Sequence, residues 1–514
     1  MNSNKENFDA IIIGSGIGGL VTASQLAAKG AKVLVLEKYI IPGGSGGSFK
    51  RNGYTFDVGA SMIFGFGEKG YTNLLTRALK DVNEKCETIP DPVQLEYHLP
   101  NNLNISVDRK YEEFISKLSE RFPKEEEGIQ KFYGTCKKVF NCLDSMPLLS
   151  IEDPVYLFKV FLKSPLSCLG LARWLPINAG DVARKYIKDT ELLKFIDIEC
   201  FCWSVMPALK TPMINAGMVF TDRHAGGINY PKGGVGKIAE KLVTGIENFG
   251  SKIRYRANVT KILLENEKAV GVKLSNGEEI KADIIVSNST RWDTFGLNDN
   301  KRGLISKDKV PKSEYNWSKT YKPSPSFVSI HLGVAKELID ENFNCHHIIV
   351  EDWEELENEK GVIFISIPTL LDSSLAPDGK HIIHAFTPSS ISEWDNLSRE
   401  EYLTKKENYY SFLISKISKI IPKLDQNIDH KEIGTPRTHR KFLGRFEGSY
   451  GPIPNKKLFG LLPMPFNTTN IENLYCVGDS CFPGQGLNAV AFSGYACAHK
   501  IGSKLNINDF KLPD

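Results

Sequence analysis

An α/β fold, discontinuous along the chain and joined to a second lobe combining sheet and helices, is predicted by three stretches of sequence. The first, residues 10–49, opens on an apolar run at 10–13 and passes through Gly14-Ser15-Gly16-Ile17-Gly18-Gly19. A helical run at 20–29 follows, closed by Gly30, and a strand at 32–36 ends on Glu37. The second, residues 228–290, reads as a helix over 235–248, then strands at 252–255, 259–265, 269–274 and 284–286, with Asn276-Gly277 as a hairpin turn. The third, residues 473–500, reads as a strand at 474–477, a Gly478-Asp479 turn and a helix over 488–499 rich in small residues.

Strand, G-x-G-x-x-G, helix, strand and acid within about thirty residues form the fingerprint of a Rossmann-type dinucleotide site. Gly14 suits the tight turn, Gly16 lets backbone approach a pyrophosphate, and Gly19 lets the helix pack on the sheet. Free N–H groups at the helix start face the negative charge. Glu37 is placed to accept hydrogen bonds from a ribose, which argues against a 2′-phosphate there. A second cluster, Pro42-Gly43-Gly44-Ser45-Gly46-Gly47, is either a flexible surface loop or chain running back beneath a pyrophosphate and ring. Nicotinamide enzymes have no obvious need of it. Asp479 is either a turn or N-cap acid or a partner for a flavin's ribityl chain, with the next helix aimed at the pyrimidine ring. Taken with both N-terminal clusters, the flavin reading is favoured, and two distant parts of the chain then bracket one FAD. Val259 is a candidate to offer backbone groups to the adenine, or is an ordinary strand valine.

Composition bounds the rest. A chain of 514 residues predicts two or three domains or lobes, and a net charge of +3 argues against a nucleic-acid binder. Ten scattered cysteines without a C-x-x-C point to a reducing compartment. The first ten residues carry no leader pattern, so a mature cytoplasmic chain is expected, and no run of 18 mainly apolar residues is seen. Cys200-Phe201-Cys202, His346-His347 and His381/His384, read as lying on strands, have poor ligand spacing, so no metal is expected. Arg437, His439, Arg440, Lys441 and Arg445 form the sharpest basic cluster, either an anion site for flavin or lipid phosphates or a solvated surface. Residues 153–176 are rich in Leu and Phe with interspersed cations; they suit an amphipathic element on a membrane or a lobe-packing helix pair interrupted by Pro165. Helices at 111–121 and 129–143 and strands within "PSFVSIHLGV" and "GVIFISIP" are expected, and the charged run 351–361 reads as a solvated loop or short helix.

These motifs, with "FDVGASMIFGF", "GGINYPKGGVGKIA", "SNSTRWDTFG", "GTPRTHRKFLGRFEGSYGP" and "MPFNTTNIENLYCVGDSCFPGQGLNAVAFSG", resemble the carotenoid isomerases, a branch of the phytoene-desaturase group of flavoproteins. The likeness runs from about residue 8 to residue 503. It implies FAD, held by Gly14, Gly16, Gly19, Glu37, Gly43, Gly44 and Asp479; the expected set adds Ser15, Gly18, Lys38, Gly59, Val259, Gly478, Gly486 and Asn488. It implies a second lobe over an apolar tunnel for a C40 carotenoid. The implied reaction is conversion of 7,9,7′,9′-tetra-cis-lycopene to all-trans-lycopene, without net oxidation and with reduced flavin as the active form. Bond rotation requires lowered π order, through charge donated transiently by the flavin or through a positioned acid that protonates the polyene; no catalytic side chain is singled out. A cytoplasmic protein peripherally associated with the inner or photosynthetic membrane is expected. The alternatives on this scaffold are a carotene desaturase or retinol-saturase-like redox enzyme, and a flavin-free lipid carrier of the GDP-dissociation-inhibitor type. The expected segments are 1–64, 221–296 and 433–514 for the FAD-binding domain, 65–220 for a mainly helical lobe facing substrate and membrane, and 297–432 for the rest of the substrate lobe.

Overall fold

The computed structural model describes residues 7–68, 70–146 and 150–507. The first six residues, within the stretch free of a leader pattern, lie outside the described residues.

The strand Phe8–Ile13 is an apolar run because both of its faces are covered: Ala10, Ile11 and Ile12 have no exposed surface. It pairs in parallel with Val33–Leu36 on one side, Ala10 opposite Val33, and with Glu279–Ser287 on the other, Ala10 opposite Ile284. Lys252–Arg254 and Leu474–Cys476 extend this parallel sheet at its two sides. Val259–Glu265 and Lys268–Leu274 form an antiparallel ribbon that runs onto the first half of Glu279–Ser287. One sheet thus draws strands from the beginning, the middle and the end of the chain.

Helices Ile17–Ala27, Gly236–Asn248 and Leu487–Leu505 flank this sheet. The first starts three residues earlier than the apolar periodicity predicts. Gly18 and Gly19, poor helix formers in isolation, lie inside it because their neighbours come too close for a side chain. A Cβ on Gly19 would stand 2.6 Å from the Gly14 carbonyl oxygen, and one on Gly18 3.2 Å from Gly478 Cα. All eleven residues of this helix are buried.

A second seven-stranded sheet has the order Ile428–Gly434, Ser326–Ala335, Lys380–Ser389, Ile363–Ser366, His346–Ile349, Val93–Leu99, Leu103–Asp108. It is antiparallel except where His346–Ile349 runs parallel to Val93–Leu99. The region 65–220 therefore contributes two strands as well as helices. The helices Glu126–Asp144 and Met213–Ala225 pack against each other. Between them the buried Arg223 guanidinium pairs with Glu199, which also accepts a hydrogen bond from the Tyr133 hydroxyl. A cation this deep persists only with a partner. Cys200 and Cys202, read from sequence as strand residues, belong to the helix Thr190–Ser204, whose first turn is fixed by Asp189 accepting from the Glu191 and Leu192 amides. The Asp189 cap and the buried Leu192, Phe195, Ile196 and Ile198 favour helix there over the β-like short spacing of the two cysteines.

Ile12 sits at the centre of the parallel sheet without exposed surface. Ile12→Ala is expected to cost about 2–5 kcal/mol in equilibrium denaturation, the range for an emptied core site.

Candidate active site

The turn after the first strand and the turn after Leu36 meet. Gly16 and Gly43 form a parallel bridge, and the Gly43 amide donates to the Ser15 carbonyl at 2.8 Å. Gly43 takes φ +102°, a conformation that a residue with a Cβ rarely adopts. The two glycine clusters are thus one cradle. A single side chain supports it from below: Asn288, directly after Glu279–Ser287, with its amide held by the Ile13 carbonyl at 3.0 Å. A Cβ on Gly16 would lie 2.6 Å from Asn288 Nδ2, one on Gly18 3.1 Å from Asn288 Oδ1, and one on Gly478 3.0 Å from the same oxygen. Asn288 was not among the residues expected from sequence. Its signal is positional: a polar side chain at the carboxyl end of a central parallel strand, where such sheets bind ligands.

Glu37 Oε2 accepts from the Ser15 amide at 2.9 Å and the Ser15 hydroxyl at 2.6 Å, while Oε1 accepts from the Tyr39 amide at 2.7 Å. Those bonds fix the carboxylate at the rim of a cavity of about 1080 Å³. Gly14, Gly16, Gly18, Glu37, Lys38, Gly43, Gly44, Gly59, Val259, Gly478, Asp479, Gly486 and Asn488 all line this cavity. Ser15 and Gly19 do not; the one orients Glu37 and the other packs the helix. Burial, reinforced by Arg302, holds the Lys38 ammonium below its ordinary value. Asp479 is ion-paired with Arg445, a second residue that sequence left in a general basic cluster. Asn488 Nδ2 donates to the Tyr71 carbonyl at 2.8 Å, and its buried Oδ1 has no partner. The helix Leu487–Leu505 begins beside it, with Leu487, Asn488, Ala489 and Val490 at the cavity wall. Its free first-turn amides therefore face the cavity.

Beyond the cradle the walls turn apolar. Phe364 and Phe386 stack at 4.8 Å on the floor of the second sheet, and Phe327 meets Phe386 edge-on at 5.0 Å. Two imidazoles share this floor, those of His331 and His384, and His439 of the helix Pro436–Leu443 also lines the cavity. His331 and His384 stack at 4.4 Å; His331 Nε2 lies 3.1 Å from the Asp57 carbonyl, and the His439 ring 3.1 Å from the Tyr450 hydroxyl. Burial lowers His331 to about 3 and His439 to about 4, and drives His384 well below the usual range. All three are neutral at physiological pH. Away from the cradle the cavity is lined by Leu157, Val160, Leu171 and Leu175 of the helical lobe and by Leu461 and Leu462, the Leu461 amide donating to the Leu175 carbonyl at 3.0 Å.

The flavin-containing amine oxidoreductase model matches residues 17–501. The chain belongs to that family. It is therefore a flavoprotein, and its cradle fits a flavin: Gly14, Gly16, Gly43 and Gly44 of two joined turns line one cavity, and Leu487, Asn488 and Ala489 at a helix start line the same cavity. The chain is 57% identical over 502 residues to the chloroplastic prolycopene isomerase of Arabidopsis thaliana, covering 97% of this chain and 83% of that protein. Against the chloroplastic prolycopene isomerase of Daucus carota the identity is also 57%, covering 97% and 81%. Among solved structures, an oxidoreductase from Methanosarcina mazei shares the fold at TM-score 0.62 and 20% identity, covering 97% of this chain and 99% of that one.

His346 and His347 lie on the strand His346–Ile349, and His381 and His384 on Lys380–Ser389, as their sequence suggests. Asp91, Cys345 and His346 converge with ligand-capable atoms all within 4.8 Å, a grouping hidden by the distance between them in the chain. Burial raises Asp91 to about 7 and lowers His346 to about 3.

Gly16→Val is expected to abolish flavin retention, read as the loss of visible absorbance in purified protein. His439→Gln is expected to lower thermal stability at pH 7. Because the folded value of His439 lies below its ordinary 6.5, its neutral-form contribution is full above that value and lost as pH falls toward 4. The deficit of the variant against unaltered protein should therefore narrow across that window, measured as melting temperature against pH.

Proposed function

We propose that this protein is an FAD-dependent carotenoid cis–trans isomerase that converts 7,9,7′,9′-tetra-cis-lycopene to all-trans-lycopene without net oxidation. The observation that carries the reading is one continuous cavity, a dinucleotide cradle at one end and an apolar, aromatic-floored slot at the other, in a chain with 57% identity to prolycopene isomerases over nearly its whole length. Two glycine turns meeting across one space suit the pyrophosphate of a dinucleotide, which favours FAD over a mononucleotide. Gly14, Gly16, Gly43 and Gly44 would hold the pyrophosphate, Glu37 the adenosine ribose, and Asp479 with Arg445 the ribityl end.

Bound in its reduced form, the flavin supplies an electron-rich ring that lowers the π order of a polyene laid against it. The chain's part is to bind, align and keep dry. Phe327, Phe364 and Phe386 offer flat apolar contact along one side of the slot. The imidazoles of His331, His384 and His439 are held neutral, and burial pushes the Tyr450 hydroxyl up. None of these four groups is a strong acid, which suits electron donation as the route to rotation, although the carboxyl groups of Glu432 and Asp222 also line the cavity.

Delivery of so insoluble a substrate calls for a lipid surface. Helices Pro154–Lys163 and Pro165–Ala172 meet at a bend of 113°. They expose Phe158 at 62%, Leu162 at 65% and Leu166 at 84%, while Leu157, Val160 and Leu171 of the same helices line the cavity. Exposed Phe459, Leu462 and Phe466 belong to the neighbouring segment, whose Leu461 amide donates to the Leu175 carbonyl. Among the described residues no single helix is long and apolar enough to cross a membrane. A peripheral mode, with this bent pair dipped into one leaflet, suits the arrangement.

Anaerobic incubation of the photoreduced protein with tetra-cis-lycopene is expected to give a product of unchanged mass with a red-shifted, better-resolved absorption spectrum. A product with fewer or more hydrogens would refute the isomerase reading. Phe158→Asp combined with Leu162→Asp should cut co-sedimentation with lipid vesicles about tenfold or more while leaving flavin absorbance intact.

A further inference from the structure

Beside the flavin cavity lies a second cleft of about 920 Å³, and its lining has an unusual charge. Lys38, Lys301, Arg302, Arg399, Arg437 and Lys441 all face it, together with Arg440, and among the described residues no carboxylate does. They come from separate parts of the chain: the end of the second parallel strand, the 301–303 turn, the start of helix Arg399–Ile417 and helix Pro436–Leu443. Among the described residues only Arg440 of the seven cations is paired with a carboxylate, that of Asp395, through two hydrogen bonds of 2.8 and 2.6 Å. Arg437 instead lies over the Tyr402 ring at 4.8 Å, and Lys441 over Phe442 at 5.3 Å. Those contacts orient the cations without neutralising them. Burial first and Arg302 second disfavour the Lys38 ammonium, against the pull of Glu37 and Asp293.

Convergent like charges in a concave site focus a field that draws in counter-ions of the opposite sign, and guanidinium groups match phosphate oxygens in pairs. We propose that this cleft binds a soluble anion carrying clustered phosphates. The flavin's own phosphates do not account for it. In the orientation argued above, on which this inference rests, the pyrophosphate lies over the glycine cradle, and the cleft begins past the adenosine end, sharing Lys38, Asn258 and Val259 with the first cavity. Phospholipid headgroups share the chemistry, but the exposed Phe158, Leu162 and Leu166 belong to helices that line only the first cavity, and Phe442 at 41% exposure is the one exposed apolar ring in the cleft's own lining, so a soluble anion is favoured. A ligand here would touch Lys38 and Val259 and so act on the flavin's binding edge, and linkage makes that effect mutual.

The test is calorimetric titration of flavin-saturated protein with inorganic tripolyphosphate at low and high salt, alongside capture on phosphatidylcholine vesicles with and without phosphatidylglycerol. Visible absorbance is recorded throughout. One-site binding that weakens with salt is expected, reduced about tenfold or more in Arg399→Glu/Arg437→Glu and unchanged in the Lys124→Glu control. Both variant positions are exposed, so folding and flavin content should be retained. Absence of heat at low salt, or equal affinity in the double variant, would overturn the proposal. So would charge-dependent vesicle capture, lost in the double variant, without tripolyphosphate binding; the phosphates would then be those of lipid. Protein that never retains flavin would instead count against the cofactor reading, which the absorbance reports separately.

Discussion

The contact on which the site depends is the packing of Asn288 beneath glycine backbone. Its carboxamide occupies the space that side chains on Gly16, Gly18 and Gly478 would need, so two distant segments of the chain approach one point. The parallel register of Phe8–Ile13 with Glu279–Ser287 places Asn288 there, and the Gly16–Gly43 bridge adds the second glycine run. A ledge of backbone amides results, one able to meet an anion where side chains would have kept it at a distance.

That ledge explains how the two lobes share one cavity. The parallel sheet supplies its polar end and the antiparallel sheet its aromatic floor, with the helical lobe closing the far side. The change from polar to apolar along a single channel suits a ligand pair in which one partner is a dinucleotide and the other a hydrocarbon. The buried histidines belong to this logic. A polar ring can stand in an apolar wall provided it stays uncharged, and burial keeps His331, His384 and His439 in that state.

What was readable in the sequence is what short-range pattern encodes. The glycine spacing, the apolar runs and the acid at the end of the second strand each constrain a few consecutive residues, and the strands and helices of the dinucleotide unit fall where those patterns put them. The helix start at Ile17 was misjudged because propensity counts Gly18 and Gly19 against a helix, whereas close packing demands them. Residues 93–99, Val-Gln-Leu-Glu-Tyr-His-Leu, alternate as a strand should, yet the surrounding helical patterns masked them. Asn288, the Arg445–Asp479 pair and the histidine floor were beyond reach for a different reason. Their meaning lies in which distant strands become neighbours, and no local periodicity carries that information.

A cradle drawn from residues 14–19, 43–44, 288 and 478–488 has a consequence for the order of events in the cell. The ribosome releases residues 478–488 last, so a nascent chain, however well its first strand and helix have formed, has no complete seat for its prosthetic group. Loading must therefore follow synthesis, and the group then staples early-made and late-made portions together.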